Sequence, residues 1–549
     1  MPADNLIKMY NREKGSSERN NFNSVYQTCA EFCNPTADTL LGRQSKGNRN
    51  DSQRITDIGI KSRRMFTAGM MSHLFPQGQN WLRIVTKNRD LMEIDNVKRA
   101  LTDATKRFMS AIENSNFYEE MGQCIDHCGY IGTTSLYCES NIDSIFNFRS
   151  HYIDKFYFCE NYEGKVDTYM RDFMLTARQA YQKFGDSCPD VIKETYSDPR
   201  LSNKEYKFIH VVMPRAEYNE KKKAEKLNLP VASYYVSMDS KEIVLEEGFH
   251  EMPYNVGRFY KNNYEKYGRS PASEVISTFP LLNRMEVSRI RGAERLSNPP
   301  WLAPNDGSVR RISNDSGSII YWNAGNPLSK PEQLRPSDNV VINDEMIQKK
   351  EEEIMDAFYI PLFNPLLNKR NMTAQETQER LNLSLQFLTP AVNRLNKYFV
   401  KPSLERAFAI MLRQEGLGSL NIPELEDQDI DFDLVGKASL AARQIELFGT
   451  MTAMNQLALV GQVKPEIWDN INADKTARFI QEVNMCPVEL QNSEEVVNGI
   501  RQAQQEQLAA QQEMMMAQTA ADAYQKTSKA PEGNSPGARL NELNPEELL

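Results

Sequence analysis

The sequence has little of what most recognisable activities require. No apolar run approaches the roughly 18 residues of a membrane span, so a bilayer-crossing chain is excluded and no membrane partner is expected. No G-x-x-x-x-G-K-[ST] loop is present to cradle a nucleoside triphosphate, which leaves any motor activity to a separate protein. H-E-x-x-H does not occur, and His73, His127, His151, His210 and His250 have no nucleophile motif beside them. An enzyme is not expected, no catalytic residue is nominated, and no cofactor is implied. Cysteine is sparse, with 8 in 549 residues, and the opening MPADNLIKMYNREKGSSERN lacks the apolar centre of a secretory signal. Reduced thiols and synthesis in the cytosol follow as expectations. A basic excess is missing as well: 65 Lys and Arg stand against 74 Asp and Glu, a net charge of -9. That excludes a generic nucleic-acid coat, which neutralises phosphates, and confines any DNA contact to a local or weak one.

What is there is enough for several cores: 40% hydrophobic residues in a chain too long for one compact domain. Apolar periodicity predicts helices over Asn5–Cys33, Arg54–Phe75, Asp95–Ser115 and Phe117–Gly129, with strands at Trp81–Val85 and Thr133–Glu139. Tyr206–Tyr260 alternates as a β-rich module with a hairpin at Asp239-Ser240, and Lys221–Lys223 reads as a solvated loop. Ser270 is placed to cap a helix that begins at Pro271 and stops at Asn298-Pro299-Pro300. A turn-rich module, Trp301–Asn339, leads to a second helix over Asp344–Phe358 and a loop, Pro361–Met372. The capping box Thr373-Ala374-Gln375-Glu376 then opens a long helix with a seam at Leu381, Leu385, Leu388, Val392, Leu395 and Phe399, kinked at Pro390. An acidic connector, Pro423–Asp433, precedes helices from Ser439 to Ala509, broken at Lys464-Pro465. Gln502–Gln518 suits an exposed or self-associating helix, and the chain from Lys526 reads as a mobile tail. The fold class is α+β, mainly α.

Soft ligands at helical spacing, Cys124, His127 and Cys128, with Cys29 and Cys33 as a further pair, make the strongest metal candidate. Their apolar surroundings favour buried thiols, and no metal ligand is assigned. The carboxylates Glu424, Glu426, Asp427, Asp429, Asp431 and Asp433 lack the glycine-centred calcium pattern and read as a solvated linker.

Four segments, in this order, resemble the head-to-tail connector (portal) family of short-tailed phages. They are Met70–Pro76 with Trp81-Leu82-Arg83, then Asn114–Tyr118 running on to Gly129–Tyr137, then Tyr267-Gly268-Arg269-Ser270-Pro271, and last Met372–Glu376. The resemblance covers about Asp51 to Arg413. It implies an elongated subunit with a wing (1–270), a two-helix stem (271–298 and 340–360), a clip (299–339) and a tunnel loop (361–372). A long wing helix with its connector (373–438), a helical crown (439–525) and the tail (526–549) complete it. The implied protein forms a homo-oligomeric, dodecameric ring at one capsid vertex of the virion. It conducts double-stranded DNA during packaging and ejection, docks the terminase motor and later the tail adaptor protein, and meets the scaffold and major capsid protein in the host cytoplasm.

Within that plan, Lys369 and Arg370 in the tunnel loop are the expected DNA contacts, held toward the axis by Pro361 and Pro365. Arg310 and Arg311 in the clip are the expected docking residues. Arg284, Arg289, Arg291 and Arg295 on one stem helix, against Glu351, Glu352 and Glu353 on the other, would set the packing between subunits. A duct is better served by weak contacts than by tight phosphate binding, so the net negative charge becomes an expectation. Two competitors are another virion component, such as a tail adaptor or internal ejection protein, and a metal-dependent enzyme built on Cys124, His127 and Cys128.

Overall fold

The computed structural model describes residues 1–36, 54–88, 91, 94–141, 144–216, 228–298, 301–302, 332–333, 340–363, 389–414, 430–434, 447–458, 471–483 and 494–528. They fall in two compact units, Met1–Gln456 and Leu457–Leu549.

The single helix expected over Asn5–Cys33 is two, α1 (Ala3–Lys14) and α2 (Ser17–Cys33). Gly15 closes the first, and the Ser16 side chain accepts from the Arg19 N–H to open the second. Next come α3 (Ile58–Leu74), β1 (Leu82–Thr86), α4 (Asp95–Glu113), α5 (Phe117–Tyr130) and β2 (Thr133–Asn141), close to their expected places. Aromatic rings knit them into the main core. Trp81 stacks on Phe117 at 5.8 Å and meets Phe75 edge-on at 4.9 Å. β2 is the middle strand of an antiparallel sheet between β3 (Ile145–His151) and β9 (Tyr254–Arg258).

A second antiparallel sheet runs in chain order through β4 (Phe156–Glu160), β5 (Val166–Thr176), β6 (Glu205–Pro214), β7 (Val231–Ser237) and β8 (Ile243–Phe249). Two short helices, α6 (Ala177–Phe184) and α7 (Asp190–Ser197), interrupt it. The expected hairpin at Asp239-Ser240 joins β7 to β8. Strands beyond those expected, however, begin at Ile145, well before Tyr206. The sheet is covered on both faces. Ile209, Val211, Tyr234 and Val236 pack on Leu6 and Tyr10 of α1, while Tyr206, Phe208 and Tyr235 pack on Ala180, Phe184 and Ile192 of α6 and α7.

The end of the acidic connector is a strand, a correction to the linker reading. Ile430–Leu434 pairs antiparallel with β1, Phe432 opposite Ile84. In Ile-Asp-Phe-Asp-Leu the apolar residues alternate with the charges, and Phe432 is buried against Phe108 and Phe408. Asp431 is held by Lys401 at 2.9 Å rather than by solvent alone. The neighbouring helix is continuous from 389 to 413 but widens to a π-turn at Asn396–Val400. Pro402, at the start of the helix Lys401–Arg413, has no N–H to offer the carbonyl one turn back, which accounts for the widening. Val392, Leu395 and Phe399 of the expected seam are buried; Leu381, Leu385, Leu388 and the Thr373 capping box lie outside the described residues.

A helix covers 447–458 at the boundary of the two units, and in the second unit helices cover Ala473–Val483 and Glu494–Ser528. The last has 35 residues, about 52 Å at ~1.5 Å per residue, and it runs through Lys526, where the tail was expected to begin. Residues 529–549 and the Lys464-Pro465 break lie outside the described residues. Among the described residues no helix is long and apolar enough to cross a membrane.

Candidate functional site

The helix expected to start at Pro271 is interrupted. Ser270 does cap it, accepting from the Ser273 N–H at 3.0 Å, but only α8 (Pro271–Glu274) forms before a turn, and α9 (Thr278–Ser297) then continues. Pro280 is the reason: in an unbroken helix its ring would strike the Ile276 carbonyl and leave it without a donor. After α9, Trp301–Leu302 pairs antiparallel with Glu332–Gln333, and α10 (Val340–Ala357) returns along α9. Tyr359 and a short α11 (Ile360–Phe363) end the return.

The root of this helix pair is a socket of crossing main chains. Gly132, at φ +87°, sits between α5 and β2. A Cβ there would collide with the Arg269 backbone, and one on Gly268 would collide with the Gly132 carbonyl. The contact is closed by hydrogen bonds: the Gly268 N–H donates to Thr133 Oγ1 at 2.8 Å, the Tyr26 hydroxyl to the Gly268 carbonyl at 2.8 Å, and the Ser270 hydroxyl to the Tyr130 carbonyl at 2.9 Å. The buried Arg19 guanidinium lies between the rings of Tyr157 and Tyr267, at 4.9 and 5.1 Å, and donates to the Ile153 carbonyl. On the far side, Phe363 fills the space over Gly69 of α3.

The other motif segments also meet. The Asn116 side chain pairs with Phe148 as a strand would, donating to its carbonyl at 2.7 Å and accepting from its N–H at 2.9 Å. Trp81 Nε1 donates to the Tyr118 hydroxyl at 3.0 Å. Three of the four segments thus sit in mutually packed parts of one core, and Met372–Glu376 lies outside the described residues.

Outward from the socket, α9 and α10 become charged. Leu282 and Ile354 are buried at their contact. Glu286, also buried, receives Arg289 at 2.8 Å, and Arg289 reaches Asp344 of α10 at 3.6 Å. Arg289 is therefore engaged within its own subunit. Arg284, Arg291 and Arg295 are exposed, share one face at spacings of seven and four, and make no ion pair among the described residues. On α10, Glu351 is half-buried, Glu352 is exposed, and Glu353 pairs with Lys350 at 2.7 Å. Lys369, Arg370, Arg310 and Arg311 lie outside the described residues.

The cysteine and histidine candidates are inside the core. Cys29, Cys33, Cys124 and Cys128 are buried. Burial pushes the thiols of Cys29 and Cys124 up to about 12 and those of Cys33 and Cys128 well above their ordinary value. Burial also holds His127 down, to about 4. Thiols so disposed are poor nucleophiles and poor ligands. Among the described residues no group of three or more His, Cys, Asp or Glu is placed to hold a metal ion.

Sequence reasoning passed over Gly132 and Pro280. Each had a signal: a glycine between a helix and a strand, and a proline inside a presumed helix.

Comparison with known proteins points to one family. The family model for the bacteriophage head to tail connecting protein matches residues 6–490. Among curated proteins, the portal protein of Salmonella phage epsilon15 is 25% identical over 519 residues, covering 92% of each chain. The probable portal protein of Bordetella phage BPP-1 is 24% identical over 514 residues, again covering 92% of each.

Proposed function

The chain belongs to the bacteriophage head-to-tail connecting protein family, and on that premise we propose how it works as a portal subunit at the capsid vertex. Portal proteins assemble into a ring that connects capsid to tail. The reading of a tail adaptor or an internal ejection protein is not favoured, because both curated relatives are portal proteins matched along nearly their whole length. The observation that carries the mechanism is the antiparallel pair α9 and α10, rooted in a socket without spare volume and charged beyond it. In our reading this pair is the stem, the body through residue 270 is the wing, residues 299–339 are the clip and 439–525 the crown.

Twelve copies would place the stems side by side, with Arg284, Arg291 and Arg295 and the carboxylates Glu351, Glu352 and Glu353 choosing register and orientation more than affinity. Double-stranded DNA passes through the ring without sequence recognition, brushed by Lys369 and Arg370 of a tunnel loop at 361–372. Arg310 and Arg311 meet the terminase and then the tail adaptor, while scaffold and major capsid protein surround the wing during assembly in the host cytoplasm. The net charge of -9 suits a duct, because a mainly acidic wall does not hold phosphates.

The whole reading is tested by deleting the gene from its phage: heads should form without packaged DNA and be filled again when the chain is supplied in trans. Full heads in its absence would contradict it. Lys369→Ala with Arg370→Ala should leave rings intact and impair packaging or retention; Arg310→Glu with Arg311→Glu should weaken docking of motor or adaptor.

A further inference from the structure

One face of the body gathers exposed tyrosines and, among the described residues, more cations than carboxylates. Tyr162, on the turn after β4, is 96% exposed, and Tyr264, on the loop after β9, is 101% exposed. These are not loose ends. The Gly164 carbonyl accepts from Arg258 at 3.4 Å, Glu160 Oε1 accepts from Lys261 at 2.7 Å and also from Arg258, and Asn161 closes its own turn. Two rigid turns thus hold two solvent-facing rings, the cheapest kind of aromatic to commit to an interface. The π-turn at Asn396–Val400 borders them. Phe399 packs where a Cβ on Gly257 would stand, at 2.9 Å, and this brings exposed Tyr398, with Arg394 one turn earlier, beside Arg258 and Lys261, while exposed Lys397 lies over the Tyr398 ring.

The charge on this face is out of balance. Arg258, Lys261 and Arg394 lie together, with Lys397 against the Tyr398 ring; Glu160 takes both Arg258 and Lys261, and Glu18 lies near Lys261. Burial, and after it the proximity of Arg394, pulls Arg258 down to about 10. Arg394 and Lys397 have no ion pair among the described residues. Cations that raise one another's energy mark the place of a missing anion.

The C-terminal half of α10 has the opposite imbalance. Its last turn carries no basic residue, although that is where the helix dipole favours one, and instead holds Asp356, with Glu352 one turn before on the same face, both exposed. The two surfaces also stand at one height. The Tyr359 hydroxyl, just past α10, hydrogen bonds to the Tyr260 hydroxyl on the loop that bears Tyr264. Measured from the Arg289–Asp344 contact at ~1.5 Å per residue, Asp356 lies about 18 Å toward the body and Arg284 only about 7.5 Å. Copies related by a ring axis along the helix pair would stand level, which would set a neighbour's cationic face, rather than its arginine stripe, opposite Asp356.

We propose that the face formed by Tyr162, Tyr264, Tyr398, Arg394 and Lys397 receives the acidic end of α10, at Glu352 and Asp356, from the adjacent copy of this chain. This rests on the ring reading above, moves Glu352 from the arginine stripe to this face, and gives exposed Asp356 a partner. A charge swap on the full-length chain tests it. Arg394→Glu with Lys397→Glu, and separately Glu352→Lys with Asp356→Lys, should each lower the ring fraction in sedimentation velocity and negative-stain images at least tenfold. The combination of all four should restore it. Rings unchanged by either reversal, or a combined variant no better than its parents, would overturn the contact while leaving the ring reading intact. Unchanged rings with impaired DNA packaging would likewise overturn it, assigning the face to nucleic acid. A parent chain that never forms rings would overturn both.

Discussion

The socket and the helix pair that leaves it are held by different physics. At the socket, Gly132 and Gly268 bring main chains into contact, and hydroxyl groups of Tyr26, Thr133 and Ser270 complete their hydrogen bonds in the buried interior. Along α9 and α10 the side chains are long and charged, and several of the charges have no counterpart among the described residues. The first region resists any added atom; the second tolerates change in the isolated chain and exacts its cost on assembly. Stability and association can therefore be perturbed separately.

The largest effect is expected at the socket. Gly132→Ala must place a side chain at positive φ and against the Arg269 backbone, and should cost about 3 kcal/mol or more, read as a shift in the denaturant midpoint. A cost under about 1 kcal/mol would show that the crossing can open. Next comes acidification of the body. His210 accepts or donates within a buried set, with the Tyr254 hydroxyl at 2.7 Å and Ser233 Oγ at 2.8 Å, and stacks on Tyr235. Burial, with Lys183 and Arg171 nearby, keeps its pKa well below the ordinary value. The sign follows directly: below about pH 6.5 the unfolded chain takes up a proton that the folded one refuses, so stability falls as pH drops. His210→Asn should be less stable at pH 7 but have a flatter profile between pH 7 and 5; an unchanged slope would place the proton uptake elsewhere.

On the helix pair the comparison inverts. Arg284→Glu with Arg295→Glu should leave the midpoint of the unassembled chain within about 0.5 kcal/mol yet reduce ring formation. The smallest contrast is between two neighbouring arginines. Arg289→Ala strands the buried Glu286 and should cost about 1 kcal/mol, whereas Arg291→Ala, fully in solvent, should be close to neutral in the same titration.

Much of this was legible in the residues themselves. Helix boundaries marked by Ser270 and Pro76, the β7–β8 hairpin and the strand that follows Trp81 all follow from local chemistry. The parts that were not legible depend on partners distant in sequence. Ile430–Leu434 becomes a strand only because β1 offers it an edge, and its aspartates disguise the alternation. The strands from Ile145 to Thr176 carry Arg149, Arg171 and Asp172, which weakened the apolar signal. The split of α8 from α9 was legible in Pro280 and was passed over. For the site, the arginines and glutamates of the helix pair were named from the sequence, but that Arg289 is already occupied by Glu286 and Asp344 required the fold. Tyr162 and Tyr264, isolated tyrosines in polar stretches, carry no sequence pattern that would mark them.

The central claim is that these subunits close into a ring around a duct wide enough for duplex DNA. Electron microscopy of the purified full-length chain tests it most directly. Closed rings with a central hole are predicted; a protein that stays monomeric across concentration and salt would contradict the account.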